Sequence, residues 1–242
     1  LSIVSLIVVL SGASFVAKSG YYRGAKFFPP SSSYHKGMNA EFNMMPFAFK
    51  TENFHNLEKK NLLVLGNSQA RDFINAFKTL SRSRNYEIVY RDDFDGCISD
   101  RSNSIMLESL INEADYIIFG SAPLIQCWND FQASQFHRIG RVKILGEKNF
   151  GVNLNAVMVK KVNTKTVTKI RDSIVQQNLN YFNFFGSNFI DMNSVIGGNG
   201  LTMPILDRHG YLISQDGTHL TQAGAVFVGE RIQNSVEFKF LA

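Results

Sequence analysis

The sequence predicts an α/β fold, a doubly wound α/β/α sheet of about five parallel strands covered by helices on both faces. Short apolar runs alternate with segments of helical spacing from Asn61 onward. The runs are apolar at nearly every position, which is typical of parallel strands buried on both faces. No internal repeat is visible. Alternation of this kind indicates a three-layer architecture built around one core.

The elements follow one another in strand–helix order. The predicted strands are LLVLG (62–66), EIVY (87–90), YIIFGS (116–121), VKILG (142–146) and NFIDM (188–192). The predicted helices cover residues 70–80, 105–111, 131–139, 164–179 and 222–236. In the first of these helices, Phe73, Ile74 and Phe77 recur at the spacing of one helix face.

The N-terminal segment differs from the rest of the chain. Residues 1–17 contain no charged residue, and a membrane-spanning helix needs about 20 apolar residues. Residues 1–20 are therefore interpreted as the end of a transmembrane helix, with a signal sequence or a buried core helix as the alternatives. Residues 21–56, with several prolines and serines, are interpreted as a linker that wraps over or leads to a domain at 57–242.

Composition argues against two classes of function. The net charge is +5, but lysines and arginines are scattered and no run exceeds two. A concentrated basic surface is typical of nucleic-acid binding, so the sequence does not predict that function. The chain also lacks CxxC, HExxH and paired-histidine spacing, so no metal site or cofactor is predicted.

One serine and one histidine are placed where chemistry could occur. The GNS sequence at 66–68 puts Ser68 at the carboxyl end of the first strand, the edge where sites form in such sheets. His219 lies in DGTHLT (216–221), just before the last helix, and Asp216 is close enough to hold its ring. A serine becomes a nucleophile when an oriented imidazole takes its proton. The alternative is a plain turn at 216–217 with Thr221 as a helix cap.

Two sequence blocks carry a family resemblance. GNSQA (66–70) and DGTHLTQAGA (216–225) resemble the first and last blocks of SGNH-type (GDSL-like) hydrolases. The chain is most similar to the SGNH domains fused behind a membrane acyltransferase-3 domain in bacterial surface-polysaccharide O-acetyltransferases. The resemblance covers about residues 57–240, and it implies a flavodoxin-like fold.

The resemblance also implies roles for individual residues. Ser68 is expected to be the nucleophile, His219 the general base and then acid, and Asp216 the carboxylate that orients the ring. Family members commonly have Asp before the serine and often His after it, whereas this chain has Asn67 and Gln69. Neither departure removes a member of the triad.

By the same resemblance, the expected reaction is transfer of an acetyl group to a bacterial surface polysaccharide, such as lipopolysaccharide O-antigen, through a serine acyl-enzyme. The expected partners are a carbohydrate acceptor and a membrane acyltransferase domain N-terminal in the same chain. The domain would face the periplasm from the inner membrane. The alternatives are a carbohydrate acetylesterase with the same triad and an inactive SGNH-like module that binds polysaccharide.

The oxyanion hole is less well defined by the sequence. The N–H of Ser68 is one candidate donor, and Gly96 resembles the block glycine that supplies a second. Family members usually provide a third from an asparagine in a GxN motif after the third strand. This chain has GSA at 120–122 instead, and Asn129 or Asn149 are the candidate replacements.

Cys97 and Cys127 form a possible disulfide. Both are expected in loops, after the second and third strands, where neighbouring strand ends could bring them within bonding distance. A location outside the cytoplasm would favour the bond. Two free, buried thiols are the alternative.

Overall fold

The computed structural model describes residues 42–93, 104–134, 140–151 and 162–242. The predicted end of a transmembrane helix at 1–20 and the first part of the predicted linker, 21–41, lie outside these residues. Within the described ranges, no helix is long and apolar enough to span a bilayer.

The centre of the fold is a parallel sheet. Seven strands are found among the described residues: β1 (Lys60–Leu65), β2 (Tyr86–Arg91), β3 (Tyr116–Phe119), β4 (Val142–Leu145), β5 (Val167–Lys169), β6 (Phe189–Ile190) and β7 (Thr202–Pro204). The order β2-β1-β3-β4-β6 forms the main sheet, whose pairs are all parallel. The small β5-β7 pair is antiparallel. The five-stranded order is that of flavodoxin-like folds, so the predicted fold class is confirmed.

Helices connect the strands and cover the sheet. They are α1 (Ser68–Lys78), α2 (Ser104–Glu113), α3 (Ile125–Ser134), α4 (Asp172–Phe185), α5 (Met192–Gly197) and α6 (Gln222–Asn234). Short 3-10 helices are formed by Met45–Phe49, Ser81–Asn85, Gly186–Asn188 and Val236–Leu241.

Two apolar clusters lie on opposite faces of the sheet because side chains alternate along each strand. Leu62 and Val64 of β1 belong to the cluster that includes residues of α1 and α6. Leu63 and Leu65 belong to the cluster that includes residues of α2 and α3. The sheet is therefore the middle of three layers.

The predicted helix at 164–179 is wrong in its first part. Residues 167–169 form β5, in which Val167 pairs with Pro204 and Thr168 with Met203. β-Branched residues pack well on a pleated surface, and their strand partner comes more than thirty residues later in the chain. Helix α4 begins only at Asp172.

The predicted helix at 131–139 begins too late. Helix α3 starts at Ile125, and residues 135–139 lie outside the described residues. Trp128 and Phe131 are buried on this helix against Phe119 of β3. Cys127 thus lies in a helix and not in a loop, and it is disulfide-bonded. Cys97 lies outside the described residues, so its pairing with Cys127 stays a prediction.

The described end of the predicted linker packs on the domain. The ring of Phe47 lies 5.8 Å from that of Tyr90, edge to face. The side-chain amide of Asn75, on α1, donates to the carbonyl of Phe42 at 3.2 Å. Residues 42–49 therefore contact α1 and β2.

Candidate active site

A tight turn presents Ser68 at the carboxyl edge of the sheet. Strand β1 ends at Leu65, and Gly66 follows with φ of +120°, a conformation that residues with a Cβ rarely adopt. Asn67 then caps α1, since its side-chain oxygen accepts from the N–H of Gln69 at 3.1 Å. Ser68 is the first residue of α1 and is partly exposed.

The end of β3 approaches this turn closely. The N–H of Gly120 donates to the carbonyl of Leu65 at 2.7 Å. A Cβ on Gly120 would lie only 2.3 Å from the Cα of Ala70, in the first turn of α1. Ser121 lies beside the turn as well, with Oγ 3.4 Å from where a Cβ of Gly66 would be. Ser68 therefore lies where the strand order reverses, between β1 and β3.

Asp216 holds both its own loop and the ring of His219. Its Oδ1 accepts from the backbone N–H groups of Thr218 and His219, each at 2.8 Å. Its Oδ2 lies 2.6 Å from Nδ1 of His219. A ring that donates from Nδ1 has its lone pair on Nε2. The arrangement therefore leaves Nε2 free to accept a proton.

The charge of Asp216 is maintained by these same contacts. Burial raises the pKa of its carboxyl. Hydrogen bonds from the His219 ring and from two backbone N–H groups together lower this pKa by more, so the net pKa lies below the ordinary value. An ionised Asp216 at neutral pH can stabilise a protonated imidazole on His219.

The loop that carries His219 is anchored to the helix that begins at Ser68. The N–H of Leu220, the residue after His219, donates to both carboxylate oxygens of Asp72 at 3.2 and 3.3 Å. Asp72 is four residues after Ser68 on α1, so the two lie one above the other along the same helix face. The structure thus brings the segment of His219 and Asp216 against the N-terminal half of α1.

The turn and the helix cap of the alternative interpretation are both present in this loop. Gly217 has φ of +88°. The hydroxyl of Thr221 accepts from the N–H of Gly224 at 2.9 Å at the start of α6. The turn and the cap hold His219 in place, so they are compatible with a chemical role for its ring.

Asn149 lies beside the same loop. It follows β4 and is buried, and its N–H donates to the side chain of Asn193 at 3.0 Å. The next residue, Phe150, donates from its N–H to the carbonyl of Gly217 at 2.8 Å. Oδ1 of Asn149 has no hydrogen-bond partner among the described residues. Gly96, the other glycine predicted for the oxyanion hole, lies outside the described residues.

The remaining described histidines lie elsewhere. The N–H of His55 donates to Glu87, near the amino end of β2 and so at the opposite edge of the sheet. His209 is exposed in a turn held by Asp207. His35 and His137 lie outside the described residues. Within the described ranges, no group of three or more His, Cys, Asp or Glu side chains could hold a metal ion.

Sequence reasoning missed a buried ion pair next to this site. Nζ of Lys148 lies 2.6 Å from Oδ2 of Asp72, and the two side chains are 4% and 1% exposed. Lys148 also donates to the side-chain oxygen of Gln69. The signal available in the sequence was an aspartate next to Phe73 in the helix predicted at 70–80.

Comparison with known proteins gives one structural similarity. No protein-family model and no curated protein matches the chain. Among solved structures, the chain is similar to the periplasmic domain of the lipopolysaccharide acetyltransferase of Salmonella ser. Paratyphi A, with 12% identity and a TM-score of 0.48. The similarity covers 84% of this chain and 97% of that one.

Proposed function

We propose that this domain transfers an acyl group, of which acetyl is the expected case, through a covalent intermediate on Ser68. His219 is the general base and Asp216 orients it. The observation that carries the proposal is the 2.6 Å contact between Nδ1 of His219 and Oδ2 of Asp216. This pair sits in a loop anchored to α1, the helix whose first residue is Ser68.

The proposed reaction has two half-steps. Nε2 of His219 takes the proton of the Ser68 hydroxyl as Oγ attacks the carbonyl carbon of an acyl donor, and the protonated ring then gives this proton to the leaving group. An acceptor hydroxyl next loses its proton to Nε2 and attacks the acyl-serine. The tetrahedral intermediate collapses, Ser68 recovers its proton, and the acceptor leaves as an ester.

The proposed acceptor is a hydroxyl of a bacterial cell-surface polysaccharide, with lipopolysaccharide O-antigen as one example. The support is the sequence resemblance of the blocks at 66–70 and 216–225. The proposed partner is a membrane acyltransferase domain of the same chain, for which the uncharged segment 1–17 is the support. It would bring acyl groups across the inner membrane to a domain facing the periplasm.

The proposed oxyanion donors are the N–H of Ser68, at the positive end of the α1 dipole, the N–H of Gly96 and the side-chain amide of Asn149. A tetrahedral oxyanion needs donors already in position, and losing one costs roughly 10²–10³ in rate. Asn149 is proposed because it is buried beside the loop of His219.

The test uses the 242-residue chain, an activated acetyl ester as donor and a small saccharide as added acceptor. We expect slow release of acetate, which Ser68→Ala and His219→Ala abolish while circular dichroism stays unchanged. Acetyl saccharide formed in proportion to the added acceptor supports a transferase. Acetate alone, at every acceptor concentration, supports a carbohydrate acetylesterase.

A specific observation favours a second candidate, an inactive module that binds polysaccharide. The segment after β3 reads GSA at 120–122, so it offers no side-chain amide at the place where the family usually has one. An inactive module should keep polysaccharide binding and cellular polysaccharide acetylation in Ser68→Ala. An enzyme should keep the binding and lose the acetylation.

A further inference from the structure

The ion pair between Asp72 and Lys148 is buried among side chains that are mostly apolar, where the packing of the core does not require charged groups. The surrounding cavity is lined by apolar side chains, among them Phe73, Leu145 and Met192. Taking two charges out of water costs more than their attraction returns unless further hydrogen bonds hold both groups, and apolar replacements of similar volume often stabilise a fold equally well. A role in positioning would explain why charge is present here.

The further bonds of the pair lead to the two residues that follow the proposed nucleophile and base. Lys148 donates to the side-chain oxygen of Gln69, the neighbour of Ser68. Asp72 accepts the N–H of Leu220, the neighbour of His219, at 3.2 Å.

Three separate segments are joined by these contacts. Asp72 belongs to α1, Lys148 to the loop after β4, and Leu220 to the loop before α6. The loop after β4 makes a second contact, since the N–H of Phe150 donates to the carbonyl of Gly217 at 2.8 Å. The pair is therefore a junction between the helix of Ser68 and the loop of Asp216 and His219.

We infer that Asp72 and Lys148 form a positioning pair that sets the separation of Ser68 from His219. This inference rests on the proposed function, because it concerns the geometry of that same site. Neither residue is assigned contact with the substrate. Their effect passes through Gln69 and Leu220, so the pair governs how often Oγ of Ser68 and Nε2 of His219 are within hydrogen-bond reach.

The test compares the wild-type chain with Asp72→Asn/Lys148→Met, which removes both charges together and leaves no single buried charge. Lys169→Met/Asp172→Asn is the matched control, because it removes an exposed Lys–Asp pair of similar length, 2.7 Å. The readouts are the rate of labelling of Ser68 by a serine-directed phosphonate, kcat and KM for an acetyl ester, and hydrogen exchange over residues 216–221.

We expect the buried double variant to be labelled about 10²-fold more slowly, the cost typical of a small misplacement of reacting groups. We expect kcat to fall with it and KM to change little. The Leu220 amide should exchange faster, because a neutral amide oxygen accepts its N–H more weakly than a carboxylate does. The control should match the wild type in all readouts. Labelling and exchange within twofold of the wild type, in the buried double variant, would overturn the inference.

Two further outcomes also decide whether the inference holds. If the wild type is not labelled at all, the proposed function fails, and the inference is then judged by exchange alone: an unchanged Leu220 amide overturns it too. If the double variant does not fold, Gln69→Leu replaces it, since this partly exposed residue accepts the hydrogen bond from Lys148. A labelling rate for Gln69→Leu equal to that of the wild type would contradict the positioning role.

Discussion

Nδ1 of His219 lies 2.6 Å from Oδ2 of Asp216, while the other carboxylate oxygen of Asp216 accepts the backbone N–H of the same histidine at 2.8 Å. One carboxylate therefore fixes both the ring and the backbone of His219. Such double anchoring leaves little freedom for the ring to turn away from the edge of the sheet. A histidine held in this manner is suited to proton transfer at Nε2.

The members of the proposed triad should differ in the cost of their removal. We expect Ser68→Ala and His219→Ala to lower kcat on an acetyl ester by about 10⁶-fold, and Asp216→Asn by about 10⁴-fold. The loss of an orienting group lowers the rate less than the loss of the nucleophile or the base does. Steady-state kinetics measures the three losses. Activity of Ser68→Ala equal to that of the wild type would remove Ser68 from the mechanism.

The Asp216 loop should lose stability in acid. The pKa of Asp216 is lowered in the folded state by its hydrogen bonds, against the opposing effect of burial. A lowered pKa contributes stability that is present above the unfolded value and lost as the pH falls through the folded one. We therefore expect the melting-temperature difference between wild type and Asp216→Asn to be constant from pH 7 to about 5 and to shrink below about pH 4. A difference that persists unchanged to pH 3 would contradict this assignment.

Gly120 should not tolerate a side chain. A Cβ there would lie 2.3 Å from the Cα of Ala70, so α1 or β3 must move. We expect Gly120→Ala to destabilise the fold by about 2–3 kcal/mol, as overpacking does, and to slow labelling of Ser68. Gly140→Ala is the matched control, since a Cβ at that position meets no atom of the described residues within 4 Å. Equal denaturation midpoints for the two variants would contradict the close approach.

The disulfide of Cys127 should join it to Cys97, the only other cysteine of the chain. We expect no free thiol in the denatured, unreduced protein, and a single cross-linked peptide pair after proteolysis. In the chain-entropy account, closing a loop of this length adds about 3–4 kcal/mol to the free energy of unfolding. We therefore expect Cys97→Ser/Cys127→Ser to lower the free energy of unfolding by a comparable amount. Two titrating thiols would disprove the bond.

Much of the fold was predictable because it depends on local patterns. The five parallel strands are apolar runs such as LLVL at 62–65, and each was found close to its predicted place. The failure at the start of the predicted helix 164–179 was non-local. β5 exists because Val167 pairs with Pro204, and a helix-like spacing within 164–179 gave no indication of that partner.

The candidate site was predictable only where sequence neighbours interact. Asp216 and His219 are three residues apart, so a turn could be expected to join them, and it does. The contact between Asp72 and Lys148 joins residues far apart in the chain. Nothing in the spacing of either residue indicates the other, since the fold alone brings α1 and the loop after β4 together.

We propose above that Ser68 is a nucleophile activated by His219. The most direct test is to treat the folded chain with a serine-directed phosphonate and to locate the adduct by mass spectrometry of its peptides. We expect one adduct, on Ser68, that is absent from Ser68→Ala and forms far more slowly in His219→Ala. No adduct in the wild type, or an adduct on another serine that persists in Ser68→Ala, would contradict it.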